Sequence, residues 1–255
     1  MHNHIAFLHK NMHTIVLYDT PICIEILQNM TIKIKFGTIP ISLMESVSFK
    51  LIRGGLNYMK NAVIVVDYQF DFANPKGSLY VKGGEILQKE INYFVLQAKQ
   101  NGAFIIASKD WHPQNHFSFQ ENGGQWPPHC IANTKGSDLC FDTSAVDVII
   151  NKGKDKNKEE YSCVIDDALL NLLKTFDNIF VCGLAKDFCI LNTAVACPIN
   201  TFDKETNSNE KIINVYVVEN LTKSVFPEQD TDTKLKEKNI KLINMKDALK
   251  IIKGE

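Results

Sequence analysis

Apolar runs that alternate with amphipathic stretches constrain the fold of this chain more than any other feature of its sequence. Residues 62–66 are a continuous apolar run, which is typical of a strand buried on both faces. Residues 85–100 follow with apolar side chains near helical spacing, and Gly102 is placed to end that helix. This order of strand and helix predicts a sheet whose neighbouring strands are parallel.

The same alternation continues to the C-terminal end. Further strands are predicted at residues 103–107, 146–150, 179–182, 212–218 and 240–243. Helices are predicted at residues 166–176, from about 187, and at 245–252, whereas the polar residues 200–211 are predicted to form a surface loop. The expected fold class is therefore α/β, with a mostly parallel central sheet covered by helices on both faces. In such sheets, functional groups lie just past the carboxyl ends of the strands.

The first 58 residues differ from the rest of the chain. They are rich in Ile, Thr and Met and show no clean period, whereas regular patterns begin after Met59. A chain of 255 residues is long enough for one large domain with an extension. We therefore expect a domain at 59–255 and an extension of unknown role at 1–58. The extension is either an accessory element or sequence upstream of a natural start at Met59.

Composition and charge argue against several classes of function. The formal net charge is −1, so no basic field points to nucleic acid and no polybasic stretch points to a membrane surface. No apolar run reaches the roughly 18 residues of a membrane span. The odd count of 7 Cys favours a reducing compartment over a disulfide framework, and no secretory signal is recognisable. A cytoplasmic protein is expected, and a homo-oligomer is left open.

The first candidate for chemistry is Asp67, which directly follows the apolar run at 62–66. A carboxylate at this point lies where a buried strand opens into a crevice. Partial burial would raise its pKa and let it act as a base. The alternative is an Asp that caps a helix or forms a turn after the strand.

A second group of candidates follows the next predicted strand. Asp110 and His112 are two positions apart, so in an extended chain both side chains can face the same side. His116 and His129 follow on a long polar loop beside Trp126. One carboxylate with two or three imidazoles suits a divalent transition metal such as zinc or iron. Surface histidines are the alternative, although loops of this length in compact domains are usually functional.

Lys152 and Cys189 complete the candidate residues. Lys152 follows the third predicted strand and could favour the thiolate form of a nearby cysteine, although a solvated charged loop is the alternative. Cys189 lies in the predicted first turn of a helix after a strand and a tight turn. A helix N-terminus stabilises an anionic sulfur and offers backbone N–H groups to an oxyanion. A buried structural cysteine is the alternative.

In combination, these motifs resemble those of the isochorismatase-like cysteine hydrolases. Five segments occur in the order of that family: 65–72 with Asp67, 110–113 with Asp110 and His112, 126–130 with His129, 152–153 with Lys152, and 183–189 with Cys189. Within the superfamily they look most like nicotinamidases, because the other branches generally lack the Asp-x-His and second-His metal set. The resemblance covers residues 59–255.

The resemblance implies a three-layer α/β/α sandwich and a metal-dependent amidohydrolase. Such an enzyme converts nicotinamide to nicotinate and ammonia in NAD salvage through a cysteine thioester. One divalent metal ion per chain is implied, with zinc expected and iron or manganese as alternatives. The implied roles are catalytic for Asp67, Lys152 and Cys189, oxyanion-binding for the N–H groups of Ala185 and Cys189, metal-binding for Asp110, His112 and His129 with His116 as a ligand in some members, and pyridine-binding for Phe72, Trp126 and Tyr161. The family also has a cis peptide bond at the position of Leu184 and Ala185.

Three features depart from the family pattern. Lys186 stands where members usually carry a small hydroxyl residue, Val164 stands where an aromatic residue commonly follows the Tyr-Ser pair, and residues 1–58 have no counterpart. Two other functions are kept open. One is a related cysteine amidohydrolase acting on another small amide or carbamoyl compound, and the other is a non-catalytic metal- or ligand-binding protein. The intact set of Asp67, Lys152 and Cys189 weighs against binding alone, which needs no nucleophile.

Overall fold

The computed structural model of the chain describes residues 60–203 and 208–255, together with three strands within the first 58 residues. The chain divides into two compact units, Met1–Tyr58 and Met59–Glu255. In the first unit, an antiparallel sheet is formed in chain order by β1 (Met12–Val16), β2 (Ile22–Leu27) and β3 (Ile32–Phe36). The sequence patterns do not predict these three strands.

The described residues of the second unit form eight strands, six of which make one parallel sheet. The strands are β4 (Asn61–Val66), β5 (Phe104–Asp110), β6 (Val148–Lys152), β7 (Asn178–Leu184), β8 (Asn200–Asp203), β9 (Ser208–Ile212), β10 (Asn214–Lys223) and β11 (Lys241–Ile243). Six of them form one sheet in the order β11-β10-β7-β4-β5-β6, and each neighbouring pair is parallel. The predicted α/β fold with a parallel sheet is confirmed.

The prediction of a surface loop at residues 200–211 is wrong. β8 and β9 pair as an antiparallel two-stranded ribbon, and residues 204–207 between them lie outside the part that the structure describes. A ribbon with polar sequence has no alternating apolar face, so hydrophobic periodicity gives no signal for it.

Six α-helices of the described residues accompany the sheet. They are α1 (Phe70–Ala73), α2 (Gln88–Gln100), α3 (Asp167–Leu173), α4 (Leu191–Ala196), α5 (Thr231–Glu237) and α6 (Met245–Lys253). The predicted helices that correspond to α2, α3 and α6 are confirmed, whereas α5 was not predicted. Asp166 begins α3 as its N-cap, because its carboxylate accepts a 2.8 Å hydrogen bond from the N–H of Leu169. None of these helices combines the length and the apolarity that a membrane span needs.

The continuous apolar runs reflect burial on both faces of the sheet. In β4, Val63 and Val65 belong to the hydrophobic cluster that contains Phe94 of α2. The alternating residue Ile64 belongs to the opposite cluster, with Leu173 of α3. Every residue of β4 and β7 is buried. Burying one such Val, Ile or Phe side chain stabilises the fold by about 1.5–3 kcal/mol, so the two central strands hold a stable frame for the residues that follow them.

The candidate residues gather at the carboxyl ends of four adjacent strands. Asp67 directly follows β4, and β7 ends at Leu184 before the turn that carries Cys189. Asp110 and Lys152 are the last residues of β5 and β6 and are register partners across that pair. The sheet topology therefore brings together residues that are more than 100 positions apart in the sequence.

Candidate active site and metal centre

Asp67, Lys152 and Cys189 meet in a buried cluster. The Nζ atom of Lys152 lies 2.9 Å from Oδ2 of Asp67 and 3.5 Å from Sγ of Cys189. The side chains of Asp67 and Lys152 have no exposed surface, and Cys189 is 5% exposed. A carboxylate, an ammonium group and a thiol are thus held within reach of one another, away from bulk water.

The backbone at Asp67 directs its carboxylate into this cluster. Its φ angle is +45°, in the left-handed region that few residues other than glycine adopt. Its Oδ1 atom accepts a 2.6 Å hydrogen bond from the hydroxyl of Ser108, a fully buried residue of β5. Strained backbone of this kind persists where surrounding contacts over-determine it, often at functional sites.

Charge and burial act in opposite directions on the cluster. Burial raises the pKa of Asp67 above its ordinary value, although Lys152 and the Ser108 hydrogen bond oppose that shift. For Cys189, burial raises the pKa of the thiol well above its ordinary value, and nearby Lys152 only partly offsets this. Burial would lower the pKa of Lys152, but Asp110 and Asp67 raise it well above the ordinary value. The resting arrangement is therefore a neutral thiol beside a charged lysine, because the effect of burial on the thiol outweighs the support that Lys152 gives to the thiolate.

Cys189 lies in an unusual turn rather than in the predicted first turn of an α-helix. Residues Lys186–Ile190 form a π-turn, and the regular helix α4 begins only at Leu191. The peptide bond between Leu184 and Ala185 is cis, as expected. Gly183 has a φ angle of +112°, and a Cβ atom there would lie 2.1 Å from the carbonyl oxygen of Val66, so only glycine fits.

Asp110, His112 and His129 form a second buried group beside the first. One ligand atom from each of the three lies within 4.8 Å of the others. His112 presents its Nε2 atom to the group, 3.6 Å from Oδ2 of Asp110, while its Nδ1 atom lies 3.0 Å from the carbonyl oxygen of Gly153. The Nδ1 atom of His129 lies 2.8 Å from the carbonyl oxygen of Pro127. Both Nδ1 atoms thus lie at hydrogen-bond distance from backbone carbonyls, so the Nε2 atoms are the ones that could bind a cation.

The protonation states of Asp110 and His129 suit a cation, whereas the pKa of His112 lies above its ordinary value, because burial, which lowers that pKa, is outweighed by Asp110 and the Gly153 carbonyl. Burial lowers the pKa of His129 to about 4, so its ring is neutral near pH 7. Burial would raise the pKa of Asp110, but Lys152, His112 and His129 hold it below the usual range. An ionised carboxylate with a neutral imidazole lone pair is the donor set that zinc and related ions accept.

His116 lies outside this donor set. Its Nδ1 atom is 2.7 Å from the hydroxyl of Ser118, and its Nε2 atom is 3.0 Å from the carbonyl oxygen of Lys158. Its ring centroid is 4.2 Å from that of His112. Both ring nitrogens of His116 are therefore engaged, and its ring packs against that of His112. Of the two roles that the resemblance leaves open for His116, a ligand or a residue remote from the metal, these contacts favour the second.

Sequence reasoning missed Gln69, which is fully buried and fixes the backbone of a candidate ligand. Its side-chain amide donates to the carbonyl oxygen of Asp110 at 2.8 Å, and its Oε1 atom accepts from the N–H of Asp110 at 2.8 Å. Ser108 was missed as well. Each lies two positions from a residue that was identified, and such spacing places side chains on the same side of an extended chain, which is the signal that could have found them.

Gly153→Ala is expected to weaken metal binding by about tenfold or more, a loss typical of residues that orient a ligand. Gly153 has a φ angle of +67°, and a Cβ atom there would lie 2.5 Å from Cε1 of the His112 ring. The methyl group must therefore displace the ring whose orientation the Gly153 carbonyl sets. Titration with zinc against a chromophoric chelator measures the affinity.

The matched control for this substitution is Gly254→Ala. Gly254 has a similar φ angle of +79°, but a Cβ atom there would meet no heavy atom within 4 Å. This variant carries the backbone strain of an alanine at positive φ without the steric clash, so its zinc affinity should equal that of the wild type. Equal affinities for both variants would show that Gly153 does not hold the His112 ring.

One cavity is lined by members of both groups, namely Cys189 of the first group and Asp110 and His129 of the second, and also by Ala185. The structure also places there the aromatic residues expected from the sequence, Phe72, Trp126 and Tyr161, together with residues that were not expected, namely Leu79, Val81, Glu159, Phe188 and Val225.

Aromatic contacts organise the wall of this cavity. The indole N–H of Trp126 donates a 3.2 Å hydrogen bond to the hydroxyl of Tyr161. The ring of Phe188 packs against both, with centroid distances of 5.2 Å to Trp126 and 5.5 Å to Tyr161. Phe72 lies opposite, 5.5 Å from the ring of His129. A flat aromatic ligand of modest size suits such a wall.

Residues 61–241 match the family model described as the isochorismatase domain. The chain is similar to the nicotinamidase/pyrazinamidase of Mycobacterium tuberculosis, with 36% identity over 143 residues that cover 52% of this chain and 76% of the relative. It is also similar to the nicotinamidase of Saccharomyces cerevisiae, with 31% identity over 173 residues that cover 52% of this chain and 79% of the relative.

The chain is also similar to solved structures of other proteins. The pyrazinamidase of Pyrococcus horikoshii in complex with zinc superposes with a TM-score of 0.62 at 34% identity, and the match covers 72% of this chain and 99% of that chain. PnC1 from L. infantum in complex with nicotinate superposes with a TM-score of 0.60 at 32% identity, covering 74% of this chain and 95% of that chain.

Proposed function

The chain belongs to the isochorismatase family, and on that premise we propose that it is a nicotinamidase, which hydrolyses nicotinamide to nicotinate and ammonia. The observation that carries the proposal is a cavity lined by Cys189, Asp110 and His129. Lys152 contacts both Cys189 and Asp67, and His112 completes the Asp-His-His group. Every side chain of this site lies in the unit Met59–Glu255. We therefore assign the hydrolase domain to residues 59–255.

The donor set of Asp110, His112 and His129 fits a divalent metal ion, because one ligand atom of each lies within 4.8 Å of the others and each imidazole has its Nδ1 atom, not its Nε2 atom, beside a backbone carbonyl. We propose one ion per chain, zinc first, with iron or manganese as alternatives. When bound, the ion supplies a Lewis-acidic partner for the ring nitrogen of a pyridine substrate. The fixed tautomers of the two histidines keep this donor set ready without rearrangement.

The chain's own residues provide the nucleophile and its base. The thiol of Cys189 is neutral at rest, so its proton must leave as the sulfur attacks the amide carbon. Asp67 accepts that proton, and Lys152 stabilises the negative charge that passes between the sulfur and the carboxylate. The N–H groups of Ala185 and Cys189 bind the oxyanion. Donors of this type are worth roughly 3–4 kcal/mol each in stabilising a transition state.

The same carboxyl group serves both halves of the reaction. Asp67, now protonated, gives its proton to the departing nitrogen as the C–N bond breaks, which releases ammonia and leaves an acyl thioester on Cys189. A water molecule then loses a proton to the Asp67 carboxylate and attacks the thioester carbon. The C–S bond breaks, the proton held by Asp67 returns to the sulfur, and nicotinic acid leaves and ionises to nicotinate in solution.

The walls of the cavity hold the ring for this attack. Phe72, Trp126 and Tyr161 provide flat apolar surfaces, and the hydrogen bond between Trp126 and Tyr161 fixes two of them relative to each other. Correct placement of the reacting atoms lowers the barrier because the entropy of orientation is lost on binding rather than in the transition state.

The purified protein is expected to release ammonia and nicotinate from nicotinamide, and a chelator should abolish this release until zinc is restored. Ammonia is measured by a coupled assay and nicotinate by chromatography, with benzamide as the matched amide that lacks the ring nitrogen. Turnover of carbamoyl or aliphatic amides without turnover of nicotinamide would favour the related amidohydrolase instead. Failure to hydrolyse any small amide, with metal bound, would favour a binding protein.

A further inference from the structure

The carboxylate of Asp187 joins residues Lys186–Ile190, the turn that carries Cys189 and that we name the catalytic turn, to one wall of the cavity. Asp187 is 9% exposed and lies two residues before Cys189. Its Oδ1 atom accepts a 2.9 Å hydrogen bond from the N–H of Val225, and its Oδ2 atom accepts a 2.7 Å hydrogen bond from the N–H of Phe226. Hydrogen bonds from backbone N–H groups to a charged carboxylate are stronger than neutral ones.

The preceding residue makes a second connection to the same region. The Nζ atom of Lys186 forms an ion pair with Asp232, which lies in the first turn of α5, and the Lys186 side chain is 15% exposed. Two consecutive residues of the catalytic turn thus hold the two ends of residues 225–232, which we name the wall segment. The mechanism above gives neither residue a role.

The wall segment shapes the cavity directly. Val225 lines the cavity. The ring of Phe226 lies 6.0 Å from the ring of Phe188, which also lines the cavity and packs against Trp126. A shift of the wall segment would therefore change the width of the cavity without touching the Asp67, Lys152 and Cys189 cluster.

We propose that Lys186 and Asp187 form a clamp that presses the wall segment against the cavity, and that Asp187 is a positioning residue that limits the size of ring the site accepts. This inference rests on the proposed function, because it specifies the substrate range of the same site. Asp187 contributes more than Lys186 to holding the wall segment, since it is buried and makes two charge-assisted hydrogen bonds. The ion pair of Lys186 is weaker because its partner Asp232 is 41% exposed and solvent partly screens the pair.

Asp187→Ala is expected to raise KM for nicotinamide by about tenfold or more while kcat stays within about threefold, because it removes uniform binding rather than transition-state contacts. Asp187→Asn keeps one acceptor oxygen, so its KM for nicotinamide should lie between those of the wild type and Asp187→Ala. Lys186→Met should raise KM by up to about fivefold, the range of a partly exposed ion pair. For the same variants, the ratio of kcat/KM for a ring-methylated nicotinamide to kcat/KM for nicotinamide should be higher than for the wild type.

The matched control is Asp166→Ala. Asp166 also accepts a backbone hydrogen bond, from Leu169, but it caps α3 and is not part of the cavity wall. This variant loses one backbone hydrogen bond of an exposed carboxylate and should keep both KM and the preference between the two amides. Melting temperatures of both variants report any general loss of stability separately from the expected split.

A second readout does not depend on turnover. Alkylation of Cys189 is followed by peptide mass spectrometry with iodoacetamide and with a bulky maleimide. The clamp predicts that Asp187→Ala accelerates the maleimide reaction about tenfold more than the iodoacetamide reaction. Wild-type turnover of nicotinamide with an unchanged KM and an unchanged reagent ratio in Asp187→Ala would overturn the clamp alone. A wild type that cannot hydrolyse nicotinamide, in which Asp187→Ala still shows the altered reagent ratio, would overturn the proposed function but leave the clamp standing.

Discussion

Cys189→Ala is expected to lower the rate of ammonia release from nicotinamide by roughly 10⁴-fold or more, as removal of a covalent nucleophile does in other hydrolases. The sulfur lies 3.5 Å from Lys152 in the shared cavity, and alanine offers no atom that can attack the amide carbon. The fold and the Asp-His-His group do not depend on this sulfur, so the melting temperature and the zinc content should match the wild type. Steady-state kinetics and elemental analysis test both parts.

The matched control is Cys197→Ala, which removes another buried thiol. Cys197 is 4% exposed and follows the last residue of α4, and it does not line the cavity. Loss of this thiol should change kcat by less than about threefold, because it removes only packing contacts away from the cavity. Turnover by Cys189→Ala within tenfold of the wild type would rule out the covalent route.

Asp67→Asn is expected to lower kcat by about 10³-fold, within the range that general acid–base groups contribute. Asparagine keeps the size of the side chain but cannot accept the thiol proton. Because the pKa of Asp67 lies above its ordinary value, the wild-type rate should fall with decreasing pH at a higher pH than an exposed Asp would give. Below that pKa the carboxyl group is protonated and activity is lost, whereas above it the base is available.

Ser108→Ala provides the matched control for this assignment. The Ser108 hydroxyl stabilises the ionised form of Asp67 through the 2.6 Å hydrogen bond and so lowers the pKa of that carboxyl. Its removal should raise that pKa further and move the acid limb of the pH–rate profile to higher pH, with substantial activity retained. An acid limb that stays in place in Ser108→Ala, or an Asp67→Asn variant with wild-type kcat, would show that another group is the base.

Strong local patterns made most of the fold predictable. The apolar run before Asp67 is buried on both faces, and this is the pattern that identified β4. The boundaries were less accurate, since β6 begins at Val148 rather than at residue 146 and extends to Lys152. The ends of strands depend on pairing with neighbours, and β6 pairs with β5 through residues that periodicity alone does not distinguish.

The candidate site was predictable where residue type and spacing indicate the chemistry, as they do for Asp110 with His112. It was not predictable where contacts join distant segments. The carbonyl groups that orient His112 and His129 carry no side-chain signal, and neither does the role of Phe188 on the cavity wall. His116 shows the converse, because its residue type and spacing allow a ligand, whereas both of its ring nitrogens lie at hydrogen-bond distance from Ser118 and Lys158.

The central claim is that Cys189 carries the acyl group of nicotinamide during turnover. The most direct measurement is rapid acid quenching of the wild type under saturating nicotinamide, followed by mass spectrometry of the peptide that contains Cys189. Because thioesters survive in acid, we expect a nicotinoyl adduct on Cys189 that appears within the first turnover and decays when substrate is exhausted. Turnover to nicotinate with Cys189 unmodified throughout, while Cys189→Ala still releases ammonia, would contradict it.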